Sequence, residues 1–549
     1  MPTITLHRQT FEKLVGKKLT TEQLKEKIPM IGTALEGITD KEIVVEVFPN
    51  RPDMLSEQGF ARAFRSFLGV KTGLALYTVK RSGCKVIVDS VPMRPFTACA
   101  IVKNLKFDDE RIREVMQIQE KLATTHGRNR KKSEYGVYPL DRVKFPITYK
   151  ALDPNNVSFQ PLGFDKPIKA SLIADQHPKG KEYKHITTGW KKYPFFVDAD
   201  ENIMAMIPFT NSQDTGRITE KTRDVFVECD GTDLKNVTVA LHIIVAMLAD
   251  MGGDVYSVDV VYSGKPMTMP DFTPRKMKLD FDYVNKRLGT DLSEKDVKKC
   301  LAQMGYDLKG NDVLVPVYRA DILHQSDFVE DVAIAYGYDN ITPTVPSVAT
   351  IAQEDPLQRF KAKLIELFIG LQFQEVTSYH LMAHTELSSM MMKPAREVVH
   401  LKNALVDYGC MRNSIVPSLL KILAQNQHND YPHNVVEFGR TFHHDKNAMY
   451  GIREDNTLAF ACSGENVDFT TVRRVIDTLL KSLRVEGMVK EVMDASLIPG
   501  RAAELYVGKK KIAVLGEVHP AVLEQWNIAM PVAVAEIDVG GLFGLIGEL

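Results

Sequence analysis

The stretch Pro316–Ile341, PVYRADILHQSDFVEDVAIAYGYDNI, is the one on which the reading of this chain turns. Val313 to Val317 reads as a strand running into a turn. Four carboxylates then fall within eleven positions: Asp321, Asp327, Glu330 and Asp331. The last three stand at i, i+3 and i+4. With Ser326 as N-cap of a helix that starts at Asp327, all three project from one edge of its first turn. Phe328, Val332, Ala335 and Tyr336 fall on a neighbouring stripe, the pattern of a packed amphipathic helix. Carboxylates crowded in this way repel one another unless something positive lies among them. A hard divalent cation such as Mg²⁺ is one answer, since it takes a few carboxylates and keeps water on its other positions. The plainer answer is that acids in a first turn complement the helix dipole, each by about 0.3–1 kcal/mol, with no metal. Spacing alone favours the plainer answer.

Outward from this stretch, 549 residues are too many for one core, and three or four domains are expected. Apolar residues make up 44% and charged residues 25%, the balance of a soluble globular protein. The net charge of −1 means that any RNA contact comes from local patches. Six cysteines, no two closer than fifteen positions, form no CxxC pair and no zinc spacing. They read as buried thiols of a cytoplasmic protein. MPTITLHRQTFEKLVGKK has no apolar core and does not read as a signal peptide. The most apolar helix candidate, Val237 to Met251, is interrupted by His242 and Asp250 and is too short to span a bilayer, so no membrane partner is expected.

The expected class is α+β multidomain. Residues 1–85 read as a small N-terminal α+β domain, with Ser56 capping a helix Glu57 to Leu68 after the turn Pro49-Asn50-Arg51-Pro52-Asp53. Residues 86–265 read as a larger mixed domain. Its sharpest basic run is Gly127-Arg128-Asn129-Arg130-Lys131-Lys132, which offers phosphate contacts or is simply a solvated loop. Residues 270–345 read as a compact module of two helices, a strand and the acidic helix, with a winged-helix-like outline. Residues 350–549 read as a second large unit of antiparallel strands with flanking helices. Its expected strands include Gln374 to Tyr379, a hairpin across Gly508-Lys509-Lys510, and Val532 to Ile537 closing the sheet. No covalent-catalysis pattern emerges: no GxSxG, Walker A, HExxH or strand-following GxGxxG.

Taken in order, PNRPDMLS (49–56), QEKL with GRNRKK (119–132), HPKG (177–180), RITEKTRDVFVEC (217–229) with GTD (231–233), YRADI with DFVEDVAIAYGYDNI (318–341), EFGR (437–440), GRAAE (500–504) and LGEVHPAVLEQW (515–526) resemble the phenylalanyl-tRNA synthetase β-subunit family of archaeal/eukaryotic type. The resemblance runs the whole length. It implies a subunit of an (αβ)₂ heterotetramer that charges tRNA(Phe) with phenylalanine, with ATP as a substrate of the complex and the adenylation chemistry on the α subunit. It implies that residues 350–549 are a class II synthetase-like antiparallel sheet without catalytic residues, used for assembly. It implies Mg²⁺ at the contact with the α subunit, on Asp321, Asp327, Glu330 and Asp331.

The resemblance also implies a tRNA-editing domain at 86–265 that hydrolyses tyrosyl-tRNA, because an apolar pocket alone rejects an added hydroxyl poorly. Asn211, Ser212, Glu228, Asp230 and Thr232 are the candidates to line its pocket, with Glu228 or Asp230 accepting from the tyrosine hydroxyl. Here the chain departs from the family: Ala123 where His is usual, Tyr138 in a segment that is usually GIHD-like, Phe209 in a segment that is usually PPIIN, and Asp230 where Thr is usual. The alternative is a non-enzymatic tRNA-binding scaffold subunit that has lost editing.

Overall fold

The computed structural model describes residues 2–394, 398–404 and 406–547 and divides into two compact units, 1–345 and 346–549. Each is α+β.

The first unit is organised around the helix Glu57–Phe67. Ser56 caps it as the sequence predicts, its Oγ accepting from Gly59 N at 3.1 Å. Phe60 and Phe64 pack with Phe11 of the helix Arg8–Val15, with ring centroids 5.5–5.9 Å apart. A three-stranded sheet, Thr3–His7, Glu42–Val47 and Thr33–Ile38, covers this small core. The helix also reaches two other parts of the unit. Arg62 pairs with Asp250 and donates to the Tyr77 hydroxyl at 3.0 Å. Ser66 Oγ donates to the Ala302 carbonyl at 3.1 Å.

The middle of the unit is a ten-stranded mixed sheet. Val79–Val88 lies inside it, parallel to both Asp254–Tyr262 and Ile147–Leu152, so the sheet runs across the predicted boundary at residue 85. At one end Val225–Gly231 is held antiparallel between Phe96–Lys103 and Ser133–Pro139. The helix Leu234–Asp250, capped by Asp233, buries Leu241 to Leu248 without a break, which is why its sequence is apolar all round. The module after it has three strands in the order Arg275–Lys278, Asp312–Val315, Asp307–Lys309, with helices Phe281–Leu288, Glu294–Gln303 and Gln325–Tyr336. The last helix starts two residues earlier than its sequence suggests. His324, not Ser326, is its cap: the His324 ring accepts from Ser326 N, and Asp327 reaches back to His324 N at 2.8 Å.

The second unit is a seven-stranded sheet, all antiparallel except for the short edge strand Gln374–Glu375. That strand is shorter than the predicted 374–379. Val532–Asp538 lies between Ile452–Ser463 and Lys510–Val518, inside the sheet rather than closing it. The hairpin across Gly508 forms as expected, pairing Leu505 with Ala513. All six cysteines are free thiols, five of them buried. Among the described residues no helix is long and apolar enough to cross a membrane.

A buried acid pair marks where the organising helix meets Asp109–Thr124. Glu57 accepts from His7 N at 2.6 Å and faces Glu114, which accepts from Gln58 Nε2 at 2.9 Å. Burial, and behind it the Glu114 carboxylate, push the Glu57 carboxyl from 4.5 up to about 9. The native state thus holds a proton that the unfolded chain has already released, and stability falls as pH rises through that window. Glu57→Gln is expected to flatten this decline, read as the thermal unfolding midpoint against pH. An unchanged slope would exclude Glu57 as its source.

Candidate functional sites

The strand register assembles the first site. Glu228 pairs with Gly136, Asp230 with Glu134 and Phe226 with Tyr138, so side chains at 134, 138, 228 and 230 share one face of the sheet. Three of them are buried acids, and two arginines reach them. Arg94, 1% exposed, is ion-paired with Asp230 and also donates to the Arg130 carbonyl at 2.8 Å. Arg130 is ion-paired with Glu134 and also donates to Glu120 at 3.0 Å and to the Pro208 carbonyl at 2.9 Å. The basic run thus turns one of its arginines inward; Arg128, Asn129 and Arg130 all have positive φ, which swings the chain round.

Three acids against two cations leave one without a partner charge, and that one is Glu228. Burial, reinforced by Asp230, holds its carboxyl well above the usual range. Its neighbour is not a cation but a phenol. The Tyr138 hydroxyl lies 3.1 Å from Glu228 Oε1 and 3.1 Å from Asn211 Oδ1, with its ring fully buried. Gly136 makes room for this: a Cβ there would stand 2.4 Å from Glu228 Oε1 and 2.5 Å from the Tyr138 hydroxyl.

Above this layer opens a cleft of about 740 Å³, lined among others by Ala123, Arg130, Glu134, Phe209 and Asn211. Of the five predicted pocket residues only Asn211 lines it. Glu228 and Asp230 lie buried below, neutralised within the sheet. Ser212 is 2% exposed and caps the short helix Gln213–Gly216, accepting from Asp214 N at 3.3 Å. Thr232 is exposed beyond the strand end and donates to the Lys132 carbonyl at 3.4 Å. The structure therefore does not gather these five around one cavity. Sequence reading missed Arg94 and Glu134. Arg94 lies between two prolines with nothing local to mark it. Glu134 is the first acid after a basic run, a weak signal. Burial pushes the Glu134 carboxyl up to about 7.

The second site is the acidic stretch. Arg319, 2% exposed, donates Nε and Nη2 to Asp321 at 2.9 and 2.7 Å and Nη2 to Asp331 at 2.8 Å. Asp331 also accepts from the Tyr306 hydroxyl, and the Tyr306 ring lies 5.2 Å from the guanidinium. Asp327 is taken up by the backbone amides of Leu323 and His324 at 2.7 and 2.8 Å. Glu330 is exposed and hydrogen-bonds Tyr338. The positive charge among these acids is thus a guanidinium. Among the described residues no group of three or more acidic, histidine or cysteine side chains converges as a metal ion requires, so the four acids in this arrangement do not fit Mg²⁺ held by this chain alone.

A third polar centre is buried in the second unit. Arg412, 1% exposed, donates to Glu437 at 2.7 Å, to Ser378 at 2.8 Å and to the Arg440 carbonyl at 3.0 Å. A Cβ at Gly439 would stand 2.0 Å from the Arg412 guanidinium.

Comparison with known proteins accounts for the whole chain. Residues 341–539 match the family model described as the phenylalanyl tRNA synthetase beta chain CLM domain, and 277–338 match the tRNA synthetase B5 domain. The phenylalanine–tRNA ligase beta subunit of Archaeoglobus fulgidus is 37% identical over 559 aligned positions, covering 100% of both chains. That of Thermococcus sibiricus is 34% identical over 98% of each. An N-terminal fragment of the phenylalanyl-tRNA synthetase beta-subunit from Pyrococcus horikoshii superposes with a TM-score of 0.59 at 34% identity, over 61% of this chain and 100% of that one.

Removing Arg319 leaves Asp331 buried without its cation. Arg319→Met is expected to destabilise the first unit by about 3–5 kcal/mol, read as the shift of its unfolding transition, while the transition of the second unit stays in place. A loss below about 1 kcal/mol, the range of an exposed pair, would overturn this role.

Proposed function

This chain belongs to the phenylalanine–tRNA ligase β-subunit family, and from that premise we propose a division of labour with its partner. Its role is the charging of tRNA(Phe) with phenylalanine, carried out with an α subunit. We assign the adenylation of phenylalanine by ATP to α and assembly to residues 350–549, in a cytoplasmic (αβ)₂ complex. The antiparallel sheet of the second unit suits an inactive class II-like domain. The observation that carries this reading is the buried centre against the strand His433–His444, where Arg412, Glu437 and Ser378 satisfy one another.

For the domain at 86–265 the geometry favours the scaffold reading over active editing. A site that rejects tyrosine must give the phenol a hydrogen-bond partner. Here Glu228, one of the two residues given that task, already holds the chain's own phenol, Tyr138, together with the pocket candidate Asn211. Asp230 spends its charge on Arg94. The open cleft remains available to the end of a tRNA, with Arg130 and Lys179 on its wall.

The chain co-purified with α is expected to charge tRNA(Phe), and the chain alone to support no ATP–pyrophosphate exchange. Tyrosyl-tRNA(Phe) incubated with the complex is expected to decay no faster than in buffer. Rapid release of tyrosine would show the editing site to be active and sink the scaffold reading while leaving the charging role intact.

Asp327 and Glu330 are the two acids that Arg319 does not engage, and we place the α contact there. Replacing both by Ala is expected to lower the fraction of chain that co-elutes with α in gel filtration, with or without Mg²⁺. Unchanged co-elution would remove these residues from the interface.

A further inference from the structure

We propose that the first unit contains a binding site for one small oxyanion of the phosphate class, at the seam between its N-terminal domain and the acidic module. A cavity of about 40 Å³ lies there, and its wall carries five cationic side chains, Arg51, Arg62, Arg65, Lys71 and Arg319, against a single carboxylate, Asp53. Water occupancy needs roughly 10–15 Å³, so the space takes about three water-sized groups. That is the bulk of one tetrahedral oxyanion and not of a nucleotide.

Two of the arginines are unsatisfied on this wall. Arg319 bonds Asp321 and Asp331 through Nε and Nη2, and its Nη1 is buried with no partner. Arg62 bonds Asp250 and Tyr77 through Nη1, and its Nη2 is likewise buried and unpartnered. Both side chains are more than nine-tenths buried. A buried N–H of a charged group left without an acceptor is costly. A phosphate oxygen is the acceptor that guanidinium geometry suits best.

Asp250 pairs with Arg62, and Asp321 and Asp331 pair with Arg319, but none of the three lines the cavity. With Asp53, and with Asp307 whose carboxylate lies against the wall residue Gly73, the surrounding acids number five against five cations, so the cationic excess is confined to the lining itself, where Asp53 is the one acid. Arg65 and Lys71 form no ion pair among the described residues, and Lys71 and Thr72 are exposed at the mouth, which gives an ion a way in. Asp53 holds Arg51 in place with two bonds of 2.9 Å, so the PNRPD turn frames the site rather than capping it.

The test is equilibrium dialysis of the full-length chain, co-purified with α, against ³²P-labelled inorganic phosphate at constant ionic strength. Saturable uptake of one phosphate per chain is expected, displaced by sulfate and not by chloride. Arg65→Gln combined with Lys71→Ala removes two wall cations that pair with no acid. This variant is expected to weaken uptake by roughly tenfold or more with the unfolding midpoint in phosphate-free buffer unchanged. Absence of saturable uptake would show the orphan N–H groups to be met by water alone. Uptake unaltered in the double variant would put the phosphate elsewhere. Either result overturns the site.

Discussion

One buried guanidinium, that of Arg319, sets the terms for the module that contains it. A charge taken out of water must be matched on the spot or the fold does not pay for it. Asp321, Asp331 and the Tyr306 ring do the matching, and they come from a turn, a helix and the start of a strand. Those elements are therefore tied at one point, and the acidic helix can sit only where Asp331, in its second turn, meets the arginine. The same rule recurs twice. Arg94 with Asp230 anchors one end of the ten-stranded sheet, and Arg412 with Glu437 anchors the second unit. Such pairs are weak evidence for stability but strong devices for fixing register.

Much of the architecture was legible from local rules. Ser56 as a cap and the hairpin at Gly508 follow from backbone preferences that need no tertiary partner. The errors came where long-range pairing decides. Nothing near Val79 says that it joins a sheet with Asp254–Tyr262, and nothing near Val532 says that it will be an inner strand. The cap at His324 was missed because histidine is an uncommon acceptor in that role, whereas Ser326 is a common one.

The sites divide in the same way. The acidic cluster was visible as a spacing, but which charge answers it was not, since the answering arginine lies two residues before the first acid and reads as an ordinary surface residue. Around the ten-stranded sheet the departures at Ala123, Tyr138, Phe209 and Asp230 were visible as oddities of pattern. Only the structure shows what two of them meet: the phenol of Tyr138 meets Glu228, and the carboxylate of Asp230 meets Arg94. A pattern comparison counts changes, whereas the sheet shows which buried groups answer them.

Gly439 carries one more consequence. Any side chain there runs into the Arg412 guanidinium, so the glycine and the arginine are locked to each other. With Arg412 in this centre the strand position cannot vary without giving up the ion pair, and giving up the ion pair strands Glu437. Each single step back is worse than staying. The order in which substitutions can occur, and not only their number, thus limits how this centre can change.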